Sequence, residues 1–345
     1  YCPAGVAKSS NNGRTEHRHC EDEPADDNRA DWSLMETTTL AESLPGPVGF
    51  VLGGGGSLGA QQVGMLQALS DIGVHADLIV GTSIGSVNGA LVAADPTGAA
   101  SRLSHLWNTI EPGTILGKGL LRRIRTLLRG TNSIYDAPAI AELVTELVGD
   151  VDITELPVPY GAIAVDVTDG VTTRLGSGRL ASAIQASTAI PGVFPVVQRT
   201  TQLLYDGGLI TNVAVLDALE MGARSLVVLD CMFASHRLEV PRKLTDTAMW
   251  AVTTQLRQQV LRDLPIAAEK VPVVYLPGAS PLMINPLDFR HTSALMVDAY
   301  EQSRAFLETT SVNGPGLYQR DASATHTPGG ADAPAHQREL GRHET

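Results

Sequence analysis

The sequence predicts an α/β domain organised on a mainly parallel sheet. Two observations carry that reading. Short apolar runs of strand length alternate, from Val48 to Glu308, with segments whose apolar residues recur three and four apart. Strands that alternate with helices favour parallel pairing, because each helix serves as the crossover. In addition, two of the runs end in glycine-rich turns that enter a helix, Gly53 to Gly59 and Gly81 to Gly85. In open α/β sheets ligands bind at that carboxyl edge.

The elements follow in order. Val48–Leu52 is a strand, then a glycine loop, then a helix over Ala60–Leu69. Ala76–Val80 is a second buried strand, followed by a small-residue helix over Ser86–Ala94. A helical stretch opens the segment from His105, and Asp136-Ala137-Pro138 caps and starts a helix to about Val148. Tyr160–Thr173 reads as two strands around Thr168-Asp169-Gly170. Ala181–Ala189 is a small-residue helix, and Ala189 to Pro195 a rigid apolar loop. Gln202–Tyr205 is a strand, with Thr211 or Asn212 capping a helix over Val213–Met221. Arg224–Asp230 and Val271–Leu276 are buried strands, and Thr245–Leu264 and Ser293–Glu308 are helices.

Composition bounds the function. The chain has 345 residues, 43% hydrophobic and 18% charged, as expected of a globular protein. No window holds the ~18 apolar residues of a membrane span, and Tyr1-Cys2-Pro3-Ala4 lacks the basic and apolar regions of a secretory signal. Cys2, Cys20 and Cys231 are too sparse for a disulfide framework or a metal site, which predicts a reducing, cytoplasmic location. A net charge of −12 argues against nucleic acid as a partner. Residues 1–45 are polar and acidic, and residues 311–345 are rich in Gly, Pro, Ala, Thr and His. Both read as disordered tails around one domain over 46–310.

The chemistry centres on Gly81-Thr82-Ser83-Ile84-Gly85. Strand, glycine-flanked serine and helix form the layout of a nucleophile elbow. The sharp turn projects the serine Oγ, Gly81 and Gly85 let strand and helix approach, and the helix aims N–H groups at developing negative charge. Upstream, Gly53-Gly54-Gly55-Gly56-Ser57-Leu58-Gly59 makes an anion-binding nest of backbone amides. Gly54-x-Gly56-x-x-Gly59 also fits a dinucleotide fingerprint, but the end of the next strand carries the serine elbow instead of the acid that would hold a ribose. The competing reading makes Gly54, Gly55 and Gly56 an oxyanion hole beside Ser83.

A serine nucleophile needs a base. Asp206-Gly207-Gly208 ends a strand, and Asp206 is the acid best placed at a sheet edge, although Asp-Gly is also a common turn dipeptide. A Ser-His-Asp arrangement would need His236 or His291. The basic amphipathic segment 118–129 carries Arg122, Arg123, Arg125 and Arg129 and suits either an anionic membrane surface or an ordinary solvated helix face.

The three signatures in this order, with Gly59, Gly81, Gly85, Gly207 and Gly208 at their fixed positions, resemble those of patatin-like phospholipases. Ala186 to Pro195 and Asn212 resemble that family too. The resemblance covers roughly Pro47 to Thr310. It implies a three-layer α/β sandwich and hydrolysis of (phospho)lipid acyl esters by Ser83 as nucleophile and Asp206 as base. The Gly54–Gly56 amides would be oxyanion donors, with no metal or other cofactor. This chain departs from the family at Leu58, where Arg or Lys is usual, and at Ala214, where proline is frequent. The alternatives are an esterase with a histidine base and a weakly active lipid-binding or regulatory protein.

Overall fold

A computed structural model describes residues 39–109, 138–232, 240–241, 244–279 and 288–320. Among these, nine strands form one sheet: β1 (Val48–Leu52), β2 (Leu78–Thr82), β3 (Tyr160–Asp166), β4 (Thr172–Leu175), β5 (Val197–Arg199), β6 (Gln202–Asp206), β7 (Ser225–Leu229), β8 (Pro272–Tyr275) and β9 (Gly316–Tyr318). The strands β3-β2-β1-β7-β8-β9 lie side by side and run parallel. β4 and β6 pair with β3 antiparallel, and β5 pairs with β6 antiparallel. The sheet is thus mostly parallel with an antiparallel end.

The described helices are α1 (Leu40–Ser43), α2 (Ala60–Asp71), α3 (Ile84–Ala94), α4 (Ala99–Thr109), α5 (Pro138–Val148), α6 (Leu180–Ser187), α7 (Val215–Glu220), α8 (Leu244–Ala268) and α9 (Thr292–Thr309). α2 packs on α4 and α9, and α3 on α4, α5 and α6. α7 packs on α8, with α7 against β1, β2 and β7 and α8 against β8 and β9. The two sets flank the sheet and give a three-layer α/β arrangement. β2, β3 and β7 are buried at every residue, as strands covered on both faces must be. That is why they read as unbroken apolar runs rather than alternating ones.

The structure moves several boundaries. β2 starts two residues later than Ala76 and includes Gly81 and Thr82. Asp77 stays outside it and accepts from the Val48 N–H at 2.7 Å through Oδ2. The ordered unit also extends past 46–310 at both ends. Thr39 and Glu42 form a capping box on α1, and Leu40 and Leu44 join the core. Beyond residue 310, Val312 is buried and β9 adds to β8. A four-residue helix and a three-residue strand carry too little periodicity to stand out from polar tails. β5, with three residues, escaped the sequence for the same reason. The segment 118–129 lies outside the described residues. No described helix is long and apolar enough to cross a membrane.

α2 and α9 cross in backbone contact. A Cβ at Gly64 would overlap the Met296 carbonyl oxygen and stand 2.7 Å from the Tyr300 nitrogen. Gly64→Val is therefore expected to force the helices apart and cost about 1–3 kcal/mol, read as a lower urea midpoint with unchanged slope. An unchanged midpoint would contradict this packing.

Candidate active site

The edge of β3 opposite β4 builds the site. β4 occupies one edge along Ala162–Val165. β2 and β6 share the other. Thr82, the last residue of β2, pairs with Ile163, and Asp206, the last residue of β6, pairs with Ala164. Because β2 runs parallel to β3 and β6 antiparallel, their carboxyl ends meet head-on. Ser83 and Asp206 are brought together across one residue step of β3. Ser83 Oγ donates to Asp206 Oδ2 at 2.6 Å, and both residues are buried, at 8% and 4% exposure.

Ser83 adopts φ 53° and ψ −126°. A serine in such a conformation costs on the order of 1–3 kcal/mol unless its surroundings hold it. Here they do. A Cβ at Gly81 would stand 2.6 Å from the Ser86 Cα, and one at Gly85 2.6 Å from the Gly53 carbonyl oxygen. Only glycines allow this strand–helix approach. The Ser83 N–H donates to Ser187 Oγ at 3.0 Å. The Ser83 carbonyl accepts from the Ser86 N–H at 2.8 Å and from Ser86 Oγ at 2.6 Å.

Asp206 is fixed by its other oxygen. Oδ1 accepts from the Gly208 N–H at 2.7 Å and caps the short 3-10 turn Gly207–Leu209. A Cβ at Gly207 would lie 2.5 Å from the Ile163 carbonyl oxygen, so this glycine serves close approach to β3. Burial pushes the Asp206 carboxyl up to about 6, against the opposing pull of the Ser83 and Gly208 hydrogen bonds.

The glycine loop lies against the serine because β1 and β2 are neighbours. A Cβ at Gly54 would stand 3.0 Å from Ser83 Cβ and 2.7 Å from Asn212 Oδ1, and one at Gly55 2.6 Å from Cys231 Cβ. Gly56 takes φ 59°, and Gly59 packs on Ile84. The Leu58 N–H closes the loop onto the Gly55 carbonyl at 3.2 Å. The Leu58 side chain is half-buried and packs on the core, so an apolar contact fills the position where the resemblance leads one to expect a cation. Among the described residues, no hydrogen bond engages the N–H groups of Gly54, Gly55 or Gly56.

Two supporting residues were not singled out from the sequence. Ser187 lies in the segment quoted for the resemblance, but nothing local marks its hydroxyl as the acceptor for Ser83. Gln259 of α8 accepts from the Asn212 and Val213 N–H groups at 3.1 and 3.2 Å and donates to the Val213 carbonyl at 3.0 Å. It thereby ties the strap after Asp206 to α8. Asn212 does not cap a helix over Val213–Met221, since α7 begins at Val215 after Ala214. Its side chain instead donates to the Gly54 carbonyl at 3.4 Å.

The histidine alternatives find no support among the described residues. His291 is half-exposed, with Nε2 3.9 Å from Asp288 Oδ2, and His236 lies outside the described residues. No described group of three or more His, Cys, Asp or Glu is arranged to hold a metal ion. The end of β2, where a dinucleotide site needs an acid, carries Thr82 and Ser83.

The family model described as patatin-like phospholipase matches residues 50–219. Patatin-like phospholipase domain-containing protein 7 of Mus musculus is 32% identical over 198 residues, which is 55% of this chain and 14% of that protein. An uncharacterized NTE family protein of Mycobacterium tuberculosis is 35% identical over 163 residues, 47% of this chain and 43% of that protein. The chain thus spans less than half the length of these relatives. The crystal structure of VipD from Legionella pneumophila matches at a TM-score of 0.45 and 15% identity, covering 79% of this chain and 69% of that one. Residues 50–219, which hold the glycine loop, the serine elbow and the Asp-Gly-Gly turn, carry a patatin-like phospholipase domain.

Proposed function

We propose that this chain hydrolyses carboxylic acyl esters of lipids or phospholipids through Ser83 and Asp206. The observation that carries the proposal is the 2.6 Å hydrogen bond from Ser83 Oγ to a buried carboxylate. Ser83 Oγ attacks the acyl carbon as its proton passes to Asp206 Oδ2. The oxyanion faces the amides of Gly54, Gly55 and Gly56, a type of contact worth about 10²–10³ in rate per donor. The C–O bond then breaks, and the leaving alcohol takes the proton from Asp206. Water attacks the acyl-serine and gives its proton to Asp206, and collapse releases the fatty acid and restores the Ser83 hydroxyl.

A carboxylate is a weak base in water, and desolvation is what strengthens it here. The apolar character of the surroundings supports an acyl substrate: Leu209 and Ile210, immediately after the Asp-Gly-Gly turn, are 40% and 37% exposed.

Ser83→Ala and Asp206→Asn are each expected to lower kcat/KM on p-nitrophenyl acyl esters and on phospholipid micelles by roughly 10³-fold or more, with the fold intact. Ser83→Ala is also expected to abolish labelling by a fluorophosphonate. Wild-type-like turnover in either variant refutes the assignment.

Catalysis needs ionised Asp206, so kcat/KM is expected to rise with pH through about 6 and level off above it. An unchanged rate from pH 5 to 8 would exclude Asp206 as base.

Stability runs the other way. A folded-state value raised from 3.8 to about 6 means that the folded protein binds the proton more tightly. The stabilisation is complete below pH 4 and is lost as pH rises through 6, by ~3 kcal/mol. Asp206→Asn should gain on wild type by about that amount between pH 4 and pH 8 in denaturation series. A constant difference would contradict the buried-charge account.

A further inference from the structure

We propose that Gln62, held by Asn88 and Trp107, is a positioning residue that locks the Gly53–Gly54 peptide in the orientation the oxyanion hole requires. The inference rests on the assignment of the Gly54 amide as an oxyanion donor and adds what fixes that amide.

The three side chains form a one-way chain of hydrogen bonds. Trp107 is 1% exposed, and Asn88 and Gln62 are fully buried. An indole N–H can only donate. The Trp107 Nε1–H donates to Asn88 Oδ1 at 3.0 Å, which turns the Asn88 amide nitrogen the other way. Asn88 Nδ2 then donates to Gln62 Oε1 at 2.8 Å and to the Gly59 carbonyl at 3.0 Å. With its oxygen engaged, Gln62 presents Nε2 to two main-chain carbonyls, Gly53 at 2.8 Å and Leu229 at 2.9 Å. The direction of the last bond is set by the donor-only group at the start.

The Gly53 carbonyl and the Gly54 N–H belong to one planar trans peptide and point in opposite directions. Holding the oxygen inward, under the serine elbow, therefore holds the N–H outward. A Cβ at Gly85 would lie 2.6 Å from that carbonyl oxygen, so it faces the start of α3, while Gly54 itself abuts Ser83 Cβ. Four consecutive glycines offer almost no steric resistance to a peptide flip. A flip would turn the carbonyl toward the substrate and remove a donor. Gln62 and the weaker Cys231 Sγ contact at 3.6 Å oppose it. The position comes from the sequence: Gln62 is the third residue of the helix that the loop enters, so the loop carries its own lock one turn on.

The test compares wild type with Gln62→Met, which keeps length and removes the donor, and with Trp107→Phe, which keeps the ring and removes the indole N–H. On a p-nitrophenyl acyl ester, Gln62→Met should lower kcat by roughly 10- to 10²-fold with KM within about twofold. Trp107→Phe should give a smaller fall in the same direction. Affinity for a trifluoromethyl ketone, which forms a tetrahedral oxyanion on Ser83, should fall by the same factor as kcat/KM. If Gln62→Met does not fold, Trp107→Phe decides. Unchanged kcat in the folded variant, a loss confined to KM, or undiminished ketone affinity would overturn the inference while leaving the function intact. Wild-type protein that neither turns over ester nor labels at Ser83 would overturn the function, and this inference with it.

Discussion

The structure depends on two strands of opposite direction sharing one edge of a third. β2 and β6 approach each other along β3 and stop at neighbouring residues, Ile163 and Ala164. The serine and the acid lie 123 positions apart in the chain, yet their separation is set by a single step of the strand between them. The parallel half of the sheet delivers Ser83 at the carboxyl edge, as the α/β layout demands. The antiparallel end delivers the carboxylate by doubling back.

The polar groups under the site follow the rule that buried donors and acceptors are satisfied. Gln62, Asn88, Gln259 and Asp230 are all buried, and each has partners. Asp230 accepts from Tyr275 Oη at 2.5 Å and from the Met232 N–H at 2.9 Å, and burial raises its carboxyl against the pull of these hydrogen bonds. These bonds run mostly to main-chain atoms of the glycine loop, the strap after Asp206 and the segment after β7. They fix backbone that has too few side chains to be held by packing. The glycines are what let the main chains approach, and the polar side chains are what stop them moving afterwards.

Much of this was legible in the sequence. Gly81-Thr82-Ser83-Ile84-Gly85 and the loop at Gly53–Gly59 are local objects whose strand-to-helix context can be read from neighbouring residues, and both stand where the pattern put them. The link between Ser83 and Asp206 was less direct. Asp-Gly-Gly looks like a turn, and only the resemblance and the need for a base lifted it above one. The route by which they meet was not legible, because β6 is antiparallel and three-residue β5 leaves no periodic trace. Gln62, Asn88 and Gln259 were also hidden. A glutamine inside a helix has the same appearance whether it faces water or a buried carbonyl, and only the fold tells the two apart.

The head-on meeting makes each strand the terminus of the other. One more residue in β2 or β6 would have to displace its opposite number, since each residue occupies about 3.3 Å of the same lane. A slip by one position would also reverse which face every side chain of the moved strand presents. The distance between hydroxyl and carboxylate is therefore quantised: evolution can tune it through side-chain surroundings, but any change in chain length here moves it in whole steps that no rotamer can absorb.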